Sequence, residues 1–373
     1  MSERVFLHVG LPKTGTTYLQ SIAWAHRGAL REQGVLLPGR GPREHLWASC
    51  VVREEVRIER RHRDAPGAWA RLSAELREWP GIGLVSHEFL CGADRDQVGR
   101  ALADLGDAEV HVIVTAREIV SLVTARWQEW VKNGATGDLD AYPAAGSYRP
   151  ADEWGWGTLD LADVLDRWGA HLPPERVHVL CPPEPGEPRD ELWRRFATVV
   201  GLDPASVDPS VAEANESLGV VAVELLRRVN PHLRFRRPLD RGVWIRGYLA
   251  QQMLARRGAE RYWPGSDRVR ELVALGEAGL ETIAARGYDI VGSLDVLHTP
   301  DPLDERRHPT SVTDAELLDA AIATIADVLE DLRNRPAPVR SAPVRSTPGQ
   351  TMPESASRGL VRRAASRLLR TRR

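Results

Sequence analysis

The feature that most constrains the fold is an apolar run that leads into a loop with two glycines. Val5 to Val9 reads as a buried strand, and Gly10-Leu-Pro-Lys-Thr-Gly-Thr-Thr-Tyr18 follows it directly. Gly10 and Gly15 allow a tight turn and a close approach of ligand to backbone. A helix predicted over Thr16 to Arg27 presents its first N–H groups there. This order of elements predicts a site for a phosphate or a similar anion.

Three further runs resemble the first: Ile82 to Val85, Val110 to Thr115 and Val177 to Cys181. Each is mostly apolar rather than alternating, which indicates central strands of a parallel sheet covered on both faces. Helical patterns separate the runs. The sequence therefore predicts a three-layer α/β/α fold with a central parallel sheet. It also predicts a P-loop-like phosphate-binding loop and a helical C-terminal portion. Ligands of such sheets bind at the carboxyl ends of the strands.

The helical patterns and the change of composition near the end suggest three regions. An α/β domain is predicted over residues 1–300, a C-terminal helical extension over 301–335, and a disordered basic tail rich in Pro, Ser and Arg over 336–373. The last residues, Gly359 to Arg373, place four aliphatic side chains among six arginines. A basic amphipathic helix of this kind could contact an anionic membrane surface, but a merely solvated tail is the preferred interpretation.

Charge and cysteine content narrow the classes of function. The net charge of −2 argues against a nucleic-acid partner, because no overall positive field attracts the phosphate backbone. The first residues lack a basic and apolar leader and no run reaches membrane-spanning length, so a cytoplasmic protein is expected. Cys50, Cys91 and Cys181 are widely spaced, which argues against structural zinc and a disulfide framework.

Lysine usage singles out one residue of the glycine loop. Lysine and arginine together number 50, but Lys13 and Lys132 are the only lysines. A compact ammonium on a flexible stem suits a point charge beside a transferring group better than a planar guanidinium does. Lys13 is therefore predicted to act on a bound anion.

The loop differs from the Walker A motif, in which the lysine follows the second glycine. Its order, Pro-Lys-Thr-Gly-Thr-Thr with an aromatic residue at position 18, resembles the 5′-phosphosulfate loop of sulfotransferases of the bacterial type that use 3′-phosphoadenosine 5′-phosphosulfate (PAPS). The resemblance implies that Lys13 binds the 5′-phosphate and the bridging oxygen, and that Tyr18 stands where the family commonly stacks a Trp on adenine. The cofactor-binding residues that it implies in this loop are Pro12, Lys13, Thr14, Gly15, Thr16, Thr17 and Tyr18.

A second part of the resemblance concerns Arg117, which follows the run Val110 to Thr115. In these sulfotransferases an Arg at this strand end and a Ser in the next helix hold the 3′-phosphate of the cofactor. Ala125 occupies the usual serine spacing, which leaves Ser121 or Thr124 as the partner. Ser121 is preferred, because residues four apart share a helix face.

Sulfuryl transfer also needs a base for the proton of the acceptor. His87 and Glu88 follow the run Ile82 to Val85 side by side. By the resemblance, cytosolic members of the family use a His after this strand and glycan-modifying members use a Glu. Val85 stands where the first group has Lys, so Glu88 is the preferred base and His87 the second candidate.

Together these features predict a PAPS-dependent sulfotransferase that acts without a metal ion on a hydroxyl or amine of a small-molecule, carbohydrate or lipid acceptor. The alternatives are a P-loop nucleotide kinase or NTPase-like phosphotransferase, and a catalytically inactive nucleotide-binding module. The phosphotransferase would need an Asp after a strand to hold Mg²⁺, and the strand ends offer none. The product of the predicted reaction is adenosine 3′,5′-bisphosphate.

Overall fold

The computed structural model describes residues 2–144, 152–211, 217–235, 237–256 and 260–335. In this part of the chain a parallel sheet of six strands has the order β2-β3-β1-β4-β5-β6. The strands are β1 (Arg4–Gly10), β2 (Val35–Leu36), β3 (Ile82–Ser86), β4 (Glu109–Thr115), β5 (Val177–Leu180) and β6 (Asp289–Val291). The predicted α/β class and parallel sheet are confirmed. The predicted tail over 336–373 lies outside the described residues.

The α-helices of the described residues are α1 (Thr16–Ala25), α2 (Arg27–Glu32), α3 (Pro42–Val52), α4 (Ala68–Glu78), α5 (Arg95–Ala103), α6 (Ile119–Lys132), α7 (Leu161–Gly169), α8 (Glu191–Val200), α9 (Val220–Val229), the single turn α10 (Pro238–Asp240), α11 (Ser266–Ala284) and α12 (Asp314–Asn334). A π-helix, Arg241–Leu254, continues directly from α10. Among the described helices, none combines the length and the apolar composition that crossing a bilayer requires.

Two apolar clusters cover the two faces of the sheet. Successive residues of a strand point to opposite faces, so Leu7 of β1 joins one cluster and its neighbour Phe6 joins the other. The Leu7 cluster includes buried residues of α3 to α7, α9 and α11, whereas α1, α2 and α8 supply the Phe6 cluster. The result is three layers with the sheet in the middle.

Strand β1 lies at the centre of the sheet, between β3 and β4. After β1 the chain forms β2 and β3 on one side of it, and then β4, β5 and β6 on the other side. The order of strands therefore reverses at β1. Crevices at such a reversal, outside the carboxyl ends of the strands, are where open parallel sheets bind ligands. The glycine loop after β1 lies at this point.

The chain divides into two compact units, residues 1–329 and residues 330–373. In the second unit, the described part is limited to residues 330–335, which include the last turn of α12. All features of the site below belong to the first unit.

Several elements differ from the prediction. The helix predicted over Thr16 to Arg27 ends at Ala25. The sequence also has helical patterns over Arg117 to Lys132 and over Trp244 to Arg257. The helix of the first pattern begins at Ile119, and the second pattern, as far as Leu254, belongs to the π-helix. Helix α3 and the short strands β2 and β6 were not predicted.

Candidate functional site

The glycine loop between β1 and α1 has the backbone geometry of an anion cradle. Gly10 and Gly15 have φ values of 115° and 95°, which L-residues rarely adopt. A Cβ on Gly10 would lie 2.9 Å from the carbonyl oxygen of Glu88, so the loop passes the end of β3 in close contact. Gly15 caps α1, whose first N–H groups have no acceptor within the helix and whose first turn carries no acidic residue.

A buried polar network supports the loop from below. The Thr14 hydroxyl donates to the carbonyl of Leu11 and contacts the hydroxyl of Thr115. His8 joins Thr115 to Ser86, with 3.4 Å from Nε2 to Thr115 Oγ1 and 2.8 Å from Nδ1 to Ser86 Oγ. Burial lowers the pKa of His8 to about 4, so its ring is neutral near pH 7. The Thr14 side chain faces the sheet rather than the ligand side, so only its backbone is available to a ligand.

A cleft of about 2070 Å³ opens above the loop. It is lined by twelve Lys and Arg residues and six Asp and Glu residues, although the whole chain has a net charge of −2. Positive charge is therefore concentrated here, as a local anion site requires. The predicted site residues that line the cleft are Pro12, Lys13, Gly15, Thr16, Thr17, Tyr18, Glu88, Arg117 and Ser121.

The two predicted anion-binding groups contact each other. Arg117 Nη1 donates a hydrogen bond to the carbonyl oxygen of Lys13 at 3.0 Å, although the residues are 104 positions apart in the chain. The bond fixes the Lys13 peptide and places the guanidinium beside the loop. Arg261, which sequence reasoning did not single out, lines the same cleft.

The N-terminus of α6 is occupied by a side chain of the protein itself. The Glu118 carboxylate accepts hydrogen bonds from the N–H groups of Val120 and Ser121 at 2.7 and 2.8 Å, and from the hydroxyl of Thr299 at 2.6 Å. These two amides are therefore already paired, whereas the side chain of Ser121 lines the cleft. The Thr124 hydroxyl, the other candidate partner of Arg117, donates to the carbonyl of Val120.

The ammonium group of Lys13 has a carboxylate partner. Its Nζ lies 2.6 Å from Glu129 Oε2, and Arg246 of the π-helix binds Glu129 Oε1 at 2.8 Å. Burial alone would raise the pKa of Glu129, but Lys13, Arg246 and Lys132 lower it to about 2. Glu129 is thus a buried anion among cations.

The two adjacent candidates for the base point into different surroundings. Glu88 lines the cleft and accepts a hydrogen bond from Gln20 Nε2 at 3.0 Å. The His87 ring does not line it: His87 Nδ1 accepts from the Phe89 N–H at 3.1 Å and lies 3.4 Å from Ser49 Oγ. Burial lowers the pKa of His87 below its usual value, so the ring is neutral near pH 7. Of the two candidates, Glu88 therefore lines the cleft and His87 does not.

Aromatic side chains form part of the wall of the cleft. Trp154 lines the cleft and holds the Arg126 guanidinium 4.3 Å from its ring centroid. Trp47 of α3 stacks on His62 with centroids 4.7 Å apart. Sequence reasoning missed this α3 contribution, because the helix itself was not predicted.

Potential metal ligands lie elsewhere in the described residues. Asp138, Asp140 and His308 form the one group whose ligand atoms all lie within 4.8 Å of one another. None of these three residues is among those that line the cleft.

Comparison with known proteins adds no further constraint. No protein-family model, no curated protein and no solved structure matches the chain.

Proposed function

We propose that the protein is a sulfotransferase that moves a sulfuryl group from PAPS to a hydroxyl or amine of a small-molecule, carbohydrate or lipid acceptor. The observation that carries this proposal is the contact between Arg117 and the Lys13 loop. It joins two anion-binding groups at one edge of the sheet. A ligand with phosphate groups at both its 5′ and 3′ positions needs such a pair.

The residues of the cleft fit the cofactor. The N–H groups of Gly15, Thr16 and Thr17 would hold the 5′-phosphosulfate end, because they lie at the start of α1. Arg117 would hold the 3′-phosphate with a planar, bidentate guanidinium. Because Glu118 occupies the first amides of α6, the hydroxyl of Ser121 is the group of that helix that remains for the 3′-phosphate.

The cofactor supplies the sulfuryl group, and one residue acts on each side of it: Glu88 on the acceptor and Lys13 on the leaving oxygen. Glu88 takes the proton that the acceptor loses as its oxygen bonds to sulfur. Lys13 stabilises the negative charge that the bridging oxygen gains as its bond to sulfur breaks. His87, half-buried next to Glu88 and not lining the cleft, contributes through positioning rather than by taking the proton.

We further propose that the protein works in the cytoplasm without a nucleic-acid partner. Cys50, Cys91 and Cys181 are buried free thiols, which a reducing compartment preserves. The positive charge lines a cleft rather than an open face. Peripheral membrane contact through the tail over 336–373 stays a proposal from the sequence.

Binding of adenosine 3′,5′-bisphosphate and of adenosine 5′-monophosphate, measured by calorimetry in EDTA, tests the assignment. The wild-type protein should prefer the bisphosphate. Arg117→Met should remove about 1.5–3 kcal/mol of that preference, the usual value of a charged hydrogen bond. The preference between the two ligands is the readout, because loss of the hydrogen bond to the Lys13 carbonyl acts on the binding of both. Arg63→Met is a matched control, because Arg63 is 89% exposed and does not line the cleft.

Two results would contradict the proposal. If Arg117→Met keeps the full preference for the bisphosphate, the 3′-phosphate site lies elsewhere. If the wild type ignores the bisphosphate and binds ATP only with Mg²⁺, the phosphotransferase alternative holds.

A further inference from the structure

The two lysines of the chain lie near one carboxylate, that of Glu129. Lys13 comes from the glycine loop and Lys132 from the end of α6, and both line the cleft. Lys13 Nζ lies 2.6 Å from Glu129. Lys132 follows Glu129 by three positions on α6, which puts the two side chains on one helix face. The charges of both lysines help to lower the pKa of Glu129.

A second buried carboxylate shows that this arrangement is not a general requirement of the fold. Glu224 of α9 is fully buried and is bound by Arg227 and Arg228 at 2.7 Å. Lysines and arginines together number 50, and the two lysines are near Glu129, whereas the cations that bind Glu224 are arginines. A compact ammonium on a flexible stem changes its partner more easily than a planar guanidinium does.

The charges around Glu129 allow such an exchange. Removing the partner of a buried ion pair is strongly destabilising when the remaining charge is left uncompensated. At Glu129 the ammonium of Lys13 can leave, because Arg246 stays 2.8 Å from Oε1 and Lys132 stays on the same helix face. The Lys13 backbone is held by Arg117, so the exchange involves the side chain alone.

We propose that Glu129 and Lys132 are positioning residues for Lys13. Glu129 holds the Lys13 ammonium while the loop is empty, and Lys132 compensates Glu129 when Lys13 turns to an anion on the loop. This inference rests on the proposed function, because the anion is taken to be the 5′ end of the cofactor.

The exchange changes the surroundings of Lys132 in a measurable way. Burial lowers the pKa of Lys132 to about 8; Glu129 opposes this effect, and Lys13 and Arg246 add to it. When Lys13 moves to a bound anion, Lys132 loses a like charge and keeps Glu129. The pKa of Lys132 should then rise.

Reductive methylation with ¹³C-formaldehyde makes this visible, because methylation keeps the charge and labels just two side chains besides the chain terminus. Lys13→Met and Lys132→Met assign the two NMR signals. In the wild type, adenosine 3′,5′-bisphosphate should raise the titration midpoint of Lys132 by about one pH unit or more. A midpoint that stays unchanged while the Lys13 signal reports binding would overturn the inference and leave the proposed function intact.

Affinities for the bisphosphate separate positioning from direct contact. Lys132→Met should weaken binding about tenfold, because Lys13 must then leave a poorly compensated carboxylate. Glu129→Gln should restore tight binding to that variant. If Lys132→Met weakens binding as much in the Glu129→Gln variant as it does in the wild type, Lys132 contacts the ligand itself and the positioning role is wrong. Arg228→Met, which removes a cation from Glu224 outside the cleft, is the matched control.

If the wild-type protein does not bind the bisphosphate, the proposed function is wrong. The coupling of Lys13, Glu129 and Lys132 can still be tested in the protein without ligand. Without ligand, Glu129→Gln should lower the midpoint of Lys132 and Lys13→Met should raise it, because the first removes an attracting charge and the second a repelling one. Midpoints that ignore both substitutions would show that the three groups are not coupled.

Discussion

Glu88 is an ionised base in a half-buried position at the wall of the cleft. Burial alone would raise the pKa of Glu88, but His87, its own backbone N–H, the Gln20 amide and Arg126 together lower it below the usual value. Because burial keeps His87 neutral near pH 7, the amide groups and Arg126 are the partners that act there. A carboxylate held in this way is ready to accept a proton across the physiological pH range.

Glu88→Gln keeps the shape of the side chain and removes its basicity. We expect turnover to fall about 10² to 10⁴-fold, as for other positioned bases, while bisphosphate affinity stays the same. Glu277→Gln, at an exposed carboxylate of α11, serves as the control.

The pH profile of the wild-type enzyme tests the same residue. Since the pKa of Glu88 lies below its usual range, kcat should stay constant on acidification until the pH falls below about 4.3, the ordinary value for Glu. A kcat that falls between pH 7 and 5 would show that another group takes the proton.

Sequence reasoning located the residues that follow directly from motifs and strand ends, such as Lys13, Glu88 and Arg117. It could not find the partner of Lys13, because Glu129 lies 116 positions away and on another element. The cap formed by Glu118 was missed for a different reason. Its carboxylate turns back to the amides of its own helix, and a helix start alone reads as an open anion site.

At the scale of elements, the end of β1 is fitted to the end of β3. A Cβ at Gly10 would lie 2.9 Å from the oxygen and 3.1 Å from the Cα of Glu88, and φ at this position is +115°. The close contact between the ends of these two parallel strands thus sets the position of the base relative to the loop. A side chain at position 10 would disturb both.

Gly10→Ala should therefore lower the free energy of unfolding by more than about 1 kcal/mol, through backbone strain and the contact with Glu88. It should also weaken binding of the bisphosphate. Gly28→Ala in α2 is the control: nothing lies within 4 Å of its added Cβ, so a gain of about 0.5–1 kcal/mol is expected from helix propensity. Equal stability of the two variants in urea unfolding would contradict this account of Gly10.

The predictable elements are those with a clear pattern. Strands β1, β3, β4 and β5 are mostly buried runs of four to seven residues, whereas β2 has two residues and β6 starts with the exposed Asp289. Helix α3 was missed because its buried face includes Glu44, His45 and Ser49, which a hydrophobic pattern counts as polar. Their burial depends on partners from other elements, such as Arg71 for Glu44.

At the scale of the whole molecule, buried neutral histidines link the stability of the fold to pH. Burial lowers the pKa of His8 and of His45 to about 4. The unfolded chain binds protons at these residues below about pH 6.5, before the folded protein does. Their contribution is thus fully present above pH 6.5 and is lost as the pH falls toward 4.

His8→Gln should reduce the pH dependence of unfolding between pH 6 and 4.5. We expect the slope of the unfolding free energy to fall by about 1.4 kcal/mol per pH unit, the effect of one proton. Urea unfolding across this range gives the slope, and His232→Gln, at an exposed residue, is the control. An unchanged slope would mean that His8 is already protonated in the folded protein.

The most direct test of the central claim is thermal unfolding in EDTA with adenosine 3′,5′-bisphosphate or ATP. If the Lys13 loop and Arg117 bind the two phosphate groups, the bisphosphate at 100 times its dissociation constant adds about 2.7 kcal/mol of stability without a metal ion. ATP should add less, and Mg²⁺ should not be required. Stabilisation by ATP with Mg²⁺ alone, and none by the bisphosphate, would contradict the account.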